Sequence, residues 1–387
     1  MTLRATLAAT TLAVAWVLPW LAQAGTNDIL IGIDEKITYD ANGQVIGAPG
    51  KDAVVVLDVS NPAHPKIRAS LPLMNSLLGP PTNLQITPDG KIGLVANSVT
   101  TVQDGSAWKI AMDNKLYVID LTANPPKLAD TLTVGTQPSG LAISHKGDLA
   151  LIANRAGKSV SVVSLAGGVA KVVGEVQIGQ EAAAVVIAPD GKRAFICMNM
   201  VNKIGVLTIE GTSVHYDKTL DIPAGFNPYN IDITADGKYV IASNTGAGGI
   251  NGDAEVVIQA TGEHPHVVGL MTPGNGPEGF AISPNGKWAV APLLLGTGAK
   301  HDAFNYVKNG EAVLMSIGAD GVPVVTGRAK LGGLPEGVAF SPKSDYVYIG
   351  NYFDRDLQTF HIEGGKLVQV DRMKLPGQPA SMRGPAR

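Results

Sequence analysis

One pattern of apolar and polar positions recurs along the chain. A proline-containing loop leads into a short apolar run, then a turn of the Pro-Asp-Gly-Lys kind, then a second apolar run ending in asparagine. It reads Pro81-Thr-Asn-Leu-Gln-Ile-Thr-Pro-Asp-Gly-Lys-Ile-Gly-Leu-Val-Ala-Asn97 and returns from Pro138 to Asn154. Looser copies run from Glu181 to Asn199, Pro228 to Asn244, Pro277 to Pro292 and Pro335 to Asn351. The turn positions are Gly90, Gly147, Gly191, Gly237, Gly286 and Ser344, spaced by 57, 44, 46, 49 and 58 residues. Asp-Gly and Asn-Gly supply the positive φ that tight hairpin turns need. Each copy continues with two more runs rich in β-branched residues, such as Lys115–Leu121 and Lys127–Val134, bounded by turn residues as strands are. Four strands per unit, repeated at this period, predict the blades of a β-propeller. No helical periodicity of useful length is present.

The ends give the blade count. Before the six copies, residues 27–33, 53–59 and 65–71 read as the second, third and fourth strands of a blade that lacks its innermost one. The segment Leu375–Met382 matches the opening of the other repeats, as in Gly135–Leu141, and supplies the missing strand. The expectation is an all-β, seven-bladed propeller of four-stranded antiparallel blades, its first blade closed by the C-terminal strand. Closure covers sheet edges that would otherwise be exposed.

The second-strand segments Tyr346-Val-Tyr-Ile-Gly-Asn351, Tyr239-Val-Ile-Ala-Ser-Asn244 and Leu149-Ala-Leu-Ile-Ala-Asn154 resemble the YVTN family of β-propeller repeats, over essentially the whole chain after residue 24. The resemblance implies the propeller and belongs to a superfamily that includes lactonase-like and WD40-like propellers. It does not imply one activity, because such propellers serve as surface proteins, binding modules and enzymes.

Composition adds an address. Arg4 is the only charge before Asp28, and an apolar run from Ala5 ends in Ala22-Gln-Ala24. This reads as a secretory signal peptide over residues 1–24, with the propeller over 25–387 and a periplasmic or secreted product. No second run of spanning length follows, so no membrane span is expected after cleavage. The net charge of −3 gives no sign of a nucleic-acid partner. The lone Cys197 excludes an internal disulfide framework. A monomer is expected.

Candidate chemistry follows from topology. Strands reverse direction, so the links between strands two and three share a face with the starts of the innermost strands. Insertions at 34–51, 98–114, 245–253 and 293–309 all fall on that face, the usual seat of binding on a rigid scaffold. Two Pro-Glu-Gly copies in adjacent repeats bring Glu278 and Glu336 to the channel mouth, with Asn83, Asn230 and Glu181 at equivalent places. Three readings are open there: a ring of oxygen ligands for Ca²⁺, crowded carboxylates that raise one another's pKa and act as general acid or base, or side chains that cap backbone turns. In the insertions, Trp108 is a candidate for stacking on a ligand and the His301–Asp302 pair for acid–base work or metal ligation. Two functions are carried forward. One is an exported binding or scaffold module for a protein, peptide, glycan or small molecule. The other is a lactonase-like or other hydrolase, metal-dependent or not, at the channel mouth. The basic and His signature expected after Gly-Pro in the lactonase branch is missing, because Gly276-Pro277 is followed by Glu278-Gly279.

Overall fold

The computed structural model describes residues 27–246 and 252–387. The proposed signal peptide and most of the 245–253 insertion lie outside them. Seven antiparallel sheets form the blades, numbered here in chain order. The first blade runs Pro379–Arg383, Asp28–Ile33, Ala53–Asp58, Lys66–Leu71 from the inside out. The second is Leu84–Ile86, Ile92–Asp104, Ala107–Asp120, Lys127–Thr133, and the other five repeat that order with the innermost strand first in sequence. The fourth blade adds a two-residue strand, Ile222–Pro223. Closure is as expected: Leu30 pairs with Arg383, Ile31 with Met382 and Gly32 with Ser381.

Burial tracks strand position. The innermost strand Pro138–Ile143 is buried throughout, whereas the outermost Lys127–Thr133 is almost wholly exposed. The apolar faces of neighbouring blades pack on each other around the ring. Leu151 and Val160 of the third blade, for example, meet Val185, Ile196 and Leu207 of the fourth. Such sheet-on-sheet packing removes apolar area from water at about 25 cal/mol per Å². Asn154 and Asn351, which end the second strands of the third and seventh blades, are buried and bonded across the strand turn. Asn154 Nδ2 donates to Ser159 Oγ and Ser161 Oγ at 3.0 and 2.9 Å, and Asn351 Nδ2 to Asp356 Oδ1 and Gln358 Oε1, both at 2.9 Å. The turn residues take positive φ, from 66° at Ser344 to 74° at Gly90.

Two insertions fold differently from simple loops. Residues 98–114 do not form a loop: the second and third strands of the second blade run on as a ribbon, with Gln103 opposite Trp108 near its tip. Residues 34–51 hold a hairpin, Ile37–Asp40 with Gly43–Ile46. Its Ile37 is buried with Leu77, Val99, Leu334 and Tyr352 over the channel mouth. Thr101 Oγ1 of the ribbon donates to Gly47 O (2.8 Å), and His301 N of the 293–309 loop donates to Ala41 O (3.0 Å). Three insertions thus meet over one end of the channel.

Candidate functional site at the channel mouth

The innermost strands of the sixth and seventh blades approach closely where their Pro-Glu-Gly segments begin. A Cβ at Gly279 would lie 2.2 Å from the Glu336 carbonyl oxygen, and one at Gly337 would lie 2.4 Å from Met382 N. Only glycine fits at either place, and that approach sets Glu278 and Glu336 side by side as the sequence symmetry requires. Glu336 is buried, and its Oε2 has no hydrogen-bond partner among the described residues. Burial, reinforced by the neighbouring Glu278 carboxylate, holds its pKa well above the ordinary value. Burial also raises Glu278, to about 7, against the opposing pull of Arg155. Two adjoining carboxyls in a low-dielectric site cannot both ionise cheaply, so they titrate as a unit.

Further polar groups lie close to the pair. The Arg155 guanidinium lies over the Tyr229 ring, 5.5 Å from its centroid, and 4.0 Å from Glu181 Oε2. Arg155 Nε is buried without a partner among the described residues. The Tyr229 hydroxyl is held protonated by burial, and Glu278, Glu336 and Glu181 push the same way. From the hairpin above, Tyr39 is raised to about 12, by burial first and by Glu336 and Glu278 after it. Three carboxyl groups, one guanidinium and two phenols are therefore close enough to act on one another.

The other expected ligands are engaged elsewhere. Asn230 Nδ2 donates to Glu278 O (3.3 Å), while its Oδ1 accepts from Ile231 N (2.9 Å) and Thr82 Oγ1 (3.3 Å). Asn83 Nδ2 donates to Asn75 Oδ1 and Ala96 O, both at 2.7 Å. Asn230 thus ties together segments of the second, fifth and sixth blades, while Asn83 Oδ1 is buried without a partner among the described residues. No group of three or more His, Cys, Asp or Glu side chains is arranged to hold a metal ion among the described residues.

Trp108 is half-buried on the ribbon near its tip. His301 and Asp302 are both exposed, and no hydrogen bond joins them among the described residues. The His301 ring instead stacks on Tyr306 at 4.4 Å and lines a separate groove of about 380 Å³ with Tyr39, Phe353 and Arg355. Sequence reasoning missed Arg155, Tyr229 and Tyr39. Arg155 carried a signal, for among the repeats it is the one basic residue directly after the terminal asparagine.

No protein-family model matches the chain, and no curated protein matches it in sequence. Solved structures do. The chain is similar to a putative 6-phosphogluconolactonase from Bacteroides fragilis, at TM-score 0.69 and 15% identity over 94% of this chain and 99% of that one. It is similar to the periplasmic gluconolactonase PpgL of Pseudomonas aeruginosa, at TM-score 0.66 and 18% identity over 92% and 98%. The β-propeller domain of Cps50 (Swd1) from Myceliophteria thermophila also matches, at TM-score 0.56 and 15% identity over 78% and 88%. At these identities the likeness establishes the propeller fold alone, and a fold does not carry a function with it. No described helix is long and apolar enough to cross a membrane.

Proposed function

We propose that this chain is an exported, YVTN-type propeller that binds a small polyhydroxylated molecule in the capped chamber at the channel mouth. One observation carries the reading: a buried carboxyl, Glu336, with an oxygen that no described residue partners, beside Glu278 and facing Arg155 and Tyr229. Buried polar atoms are normally satisfied, so an unpartnered carboxyl oxygen supports the reading of a missing ligand contact. The pair accepts hydrogen bonds from hydroxyls, while Arg155 and Tyr229 donate. Export rests on Arg4, the apolar run and Ala22-Gln-Ala24. Ca²⁺ is the competing occupant. Asn230 Oδ1 is already bonded and so takes one oxygen from the six to eight such an ion needs, whereas Asn83 Oδ1 has no partner among the described residues.

A lactonase-like hydrolase is the second reading. It is favoured by a carboxyl near neutrality, the range suited to proton transfer, and by the lactonases among the structural neighbours. D-glucono-1,5-lactone separates the two. The binding reading expects saturable binding by calorimetry, weakened about tenfold or more in Glu336→Gln, with hydrolysis at the buffer rate. Turnover by the parent that Glu278→Gln and Glu336→Gln both abolish would replace it with the hydrolase. Binding that both variants leave unchanged would remove the chamber from consideration.

A further inference from the structure

The opposite end of the channel, on the side of the Asp-Gly turns, holds a cavity of about 610 Å³. That is within the ordinary range of small-molecule sites. It is a chamber apart from the Glu278–Glu336 pair. Thr82 of the second blade and Asn230 of the fifth join across the channel at 3.3 Å, and Asn230 in turn holds Glu278 on the far side.

The wall is mostly apolar, with Ile143, Ile187, Ile233, Phe280 and Phe340 contributed by successive blades. Against it stand the guanidinium groups of Arg383 and Arg387 and two carboxylates, Asp28, which is paired with Arg68 at 2.6 Å, and Asp232. Asp232 is fully used: Oδ1 accepts from Ile233 N (2.9 Å), and Oδ2 from Ile282 N (2.8 Å) and Arg387 Nη2 (3.2 Å). Arg383 is not. Its Nη1 donates to Leu141 O at 2.7 Å, and its Nη2 is 4.0 Å from Asp232 Oδ1, beyond hydrogen-bond reach. An arginine carries five N–H donors, so most of these lack a partner among the described residues. The side chain keeps 15% of its exposure, and it lines this cavity. A largely withdrawn arginine with donors to spare, set in an apolar wall, is the recognition chemistry of a planar oxyanion carried on an apolar body. Residues 384–387 run along the same wall, where Ala386 N donates to Ile86 O (2.8 Å) and brings Arg387 to Asp232.

We infer that this lower chamber is a second ligand site, for an organic anion with an apolar body, held by Arg383 with Arg387 against the aromatic and aliphatic wall. The inference is independent of the function proposed for the upper mouth.

Fluorescence titration of the folded full chain tests it, with 8-anilinonaphthalene-1-sulfonate as the anionic probe and N-phenyl-1-naphthylamine as its uncharged counterpart. The expected result is saturation at one sulfonate per chain, with the neutral probe about tenfold weaker or worse. Arg387→Gln and Arg383→Gln should each weaken the sulfonate. Ala235→Trp, at an exposed rim position lining the cavity, should block it without disturbing the core. Glu336→Gln should leave it unchanged. Equal binding of the neutral probe, unsaturable binding, or indifference to Ala235→Trp would overturn the assignment. Because Arg383 sits in the closing strand, the Ala235→Trp and neutral-probe arms decide the matter even if Arg383→Gln unfolds.

Discussion

Lys36 Nζ lies 2.7 Å from Asp52 Oδ2, with both side chains withdrawn from solvent. Asp34 completes the group at 3.2 Å and accepts from the backbone N–H groups of Lys36, Ile37 and Leu77. The charges therefore act as a staple: they fix the start of the hairpin that covers the Glu278–Glu336 pair and tie it to the first blade and to the loop around Asn75.

Removing one member of such a buried pair strands the other charge, at a cost of about 3–5 kcal/mol. Lys36→Met is expected to destabilise by that order in urea unfolding. Lys91→Met, which breaks an exposed pair with Asp89, should cost about 0–1 kcal/mol. Equal effects would show that the staple is not buried in solution.

Stability should fall as pH rises through neutrality. Glu278 and Glu336 have folded pKa values raised above their unfolded ones, and Asp34 is raised to about 6. A raised acid binds its proton more tightly when folded, so its contribution is complete below the unfolded value near 4 and is lost as pH climbs through the folded one. For Glu278 that window runs from 4.5 to about 7. The urea midpoint of the parent should drop between pH 5 and pH 8, roughly the interval these groups span. Glu336→Gln should flatten the drop and gain stability at the upper end. A midpoint that rises across the interval would reverse the assignment.

Cys197 is fully buried, and burial pushes its thiol pKa up. The thiolate is the reactive form. Ellman's reagent is expected to find no thiol in the native protein and one per chain in denaturant. Rapid native labelling would contradict the packing of the fourth and fifth blades around Cys197.

Closure can be tested by truncation. Removing residues 379–387 strips the inner edge of the first blade and takes away Met382, which packs with Ile31 and Tyr348. The loss should exceed the 2–5 kcal/mol, roughly, of a single large-to-small core change. A chain lacking only residues 385–387 keeps the strand and should melt within a few degrees of the parent, as expected for a loss of about 1 kcal/mol in a protein this large. Similar melting of both forms would show that the ends do not pair.

The fold was legible because each blade repeats one local code. Glycine in the tight turn, asparagine at the end of the second strand and proline ahead of the first recur at a readable period, and the unmatched Leu375–Met382 segment announced the closure. The Glu278–Glu336 pair was legible for the same reason, since symmetry places equivalent residues in adjacent blades. What repeat symmetry cannot give is how insertions fold. The stretch 98–114 looked like a loop but extends a strand pair, and the hairpin over the mouth is fixed by Lys36, whose partner Asp52 lies at the far end of its own insertion. Nor does symmetry show that Asn230 spends its hydrogen bonds on neighbouring blades. Arg155 and Tyr229 occupy different positions in their repeats and come from the third and fifth blades, with the fourth between them.

The coupled pair at the channel mouth is tested most directly by carboxyl-carbon NMR titration of protein labelled at glutamate, comparing the parent with Glu278→Gln and Glu336→Gln. Two glutamate carboxyls should titrate above the rest, and Glu278→Gln should bring the Glu336 midpoint down, because a neighbouring negative charge has gone. Both carboxyls titrating with the bulk glutamates, or a Glu336 midpoint unmoved by Glu278→Gln, would contradict a buried pair that titrates as a unit.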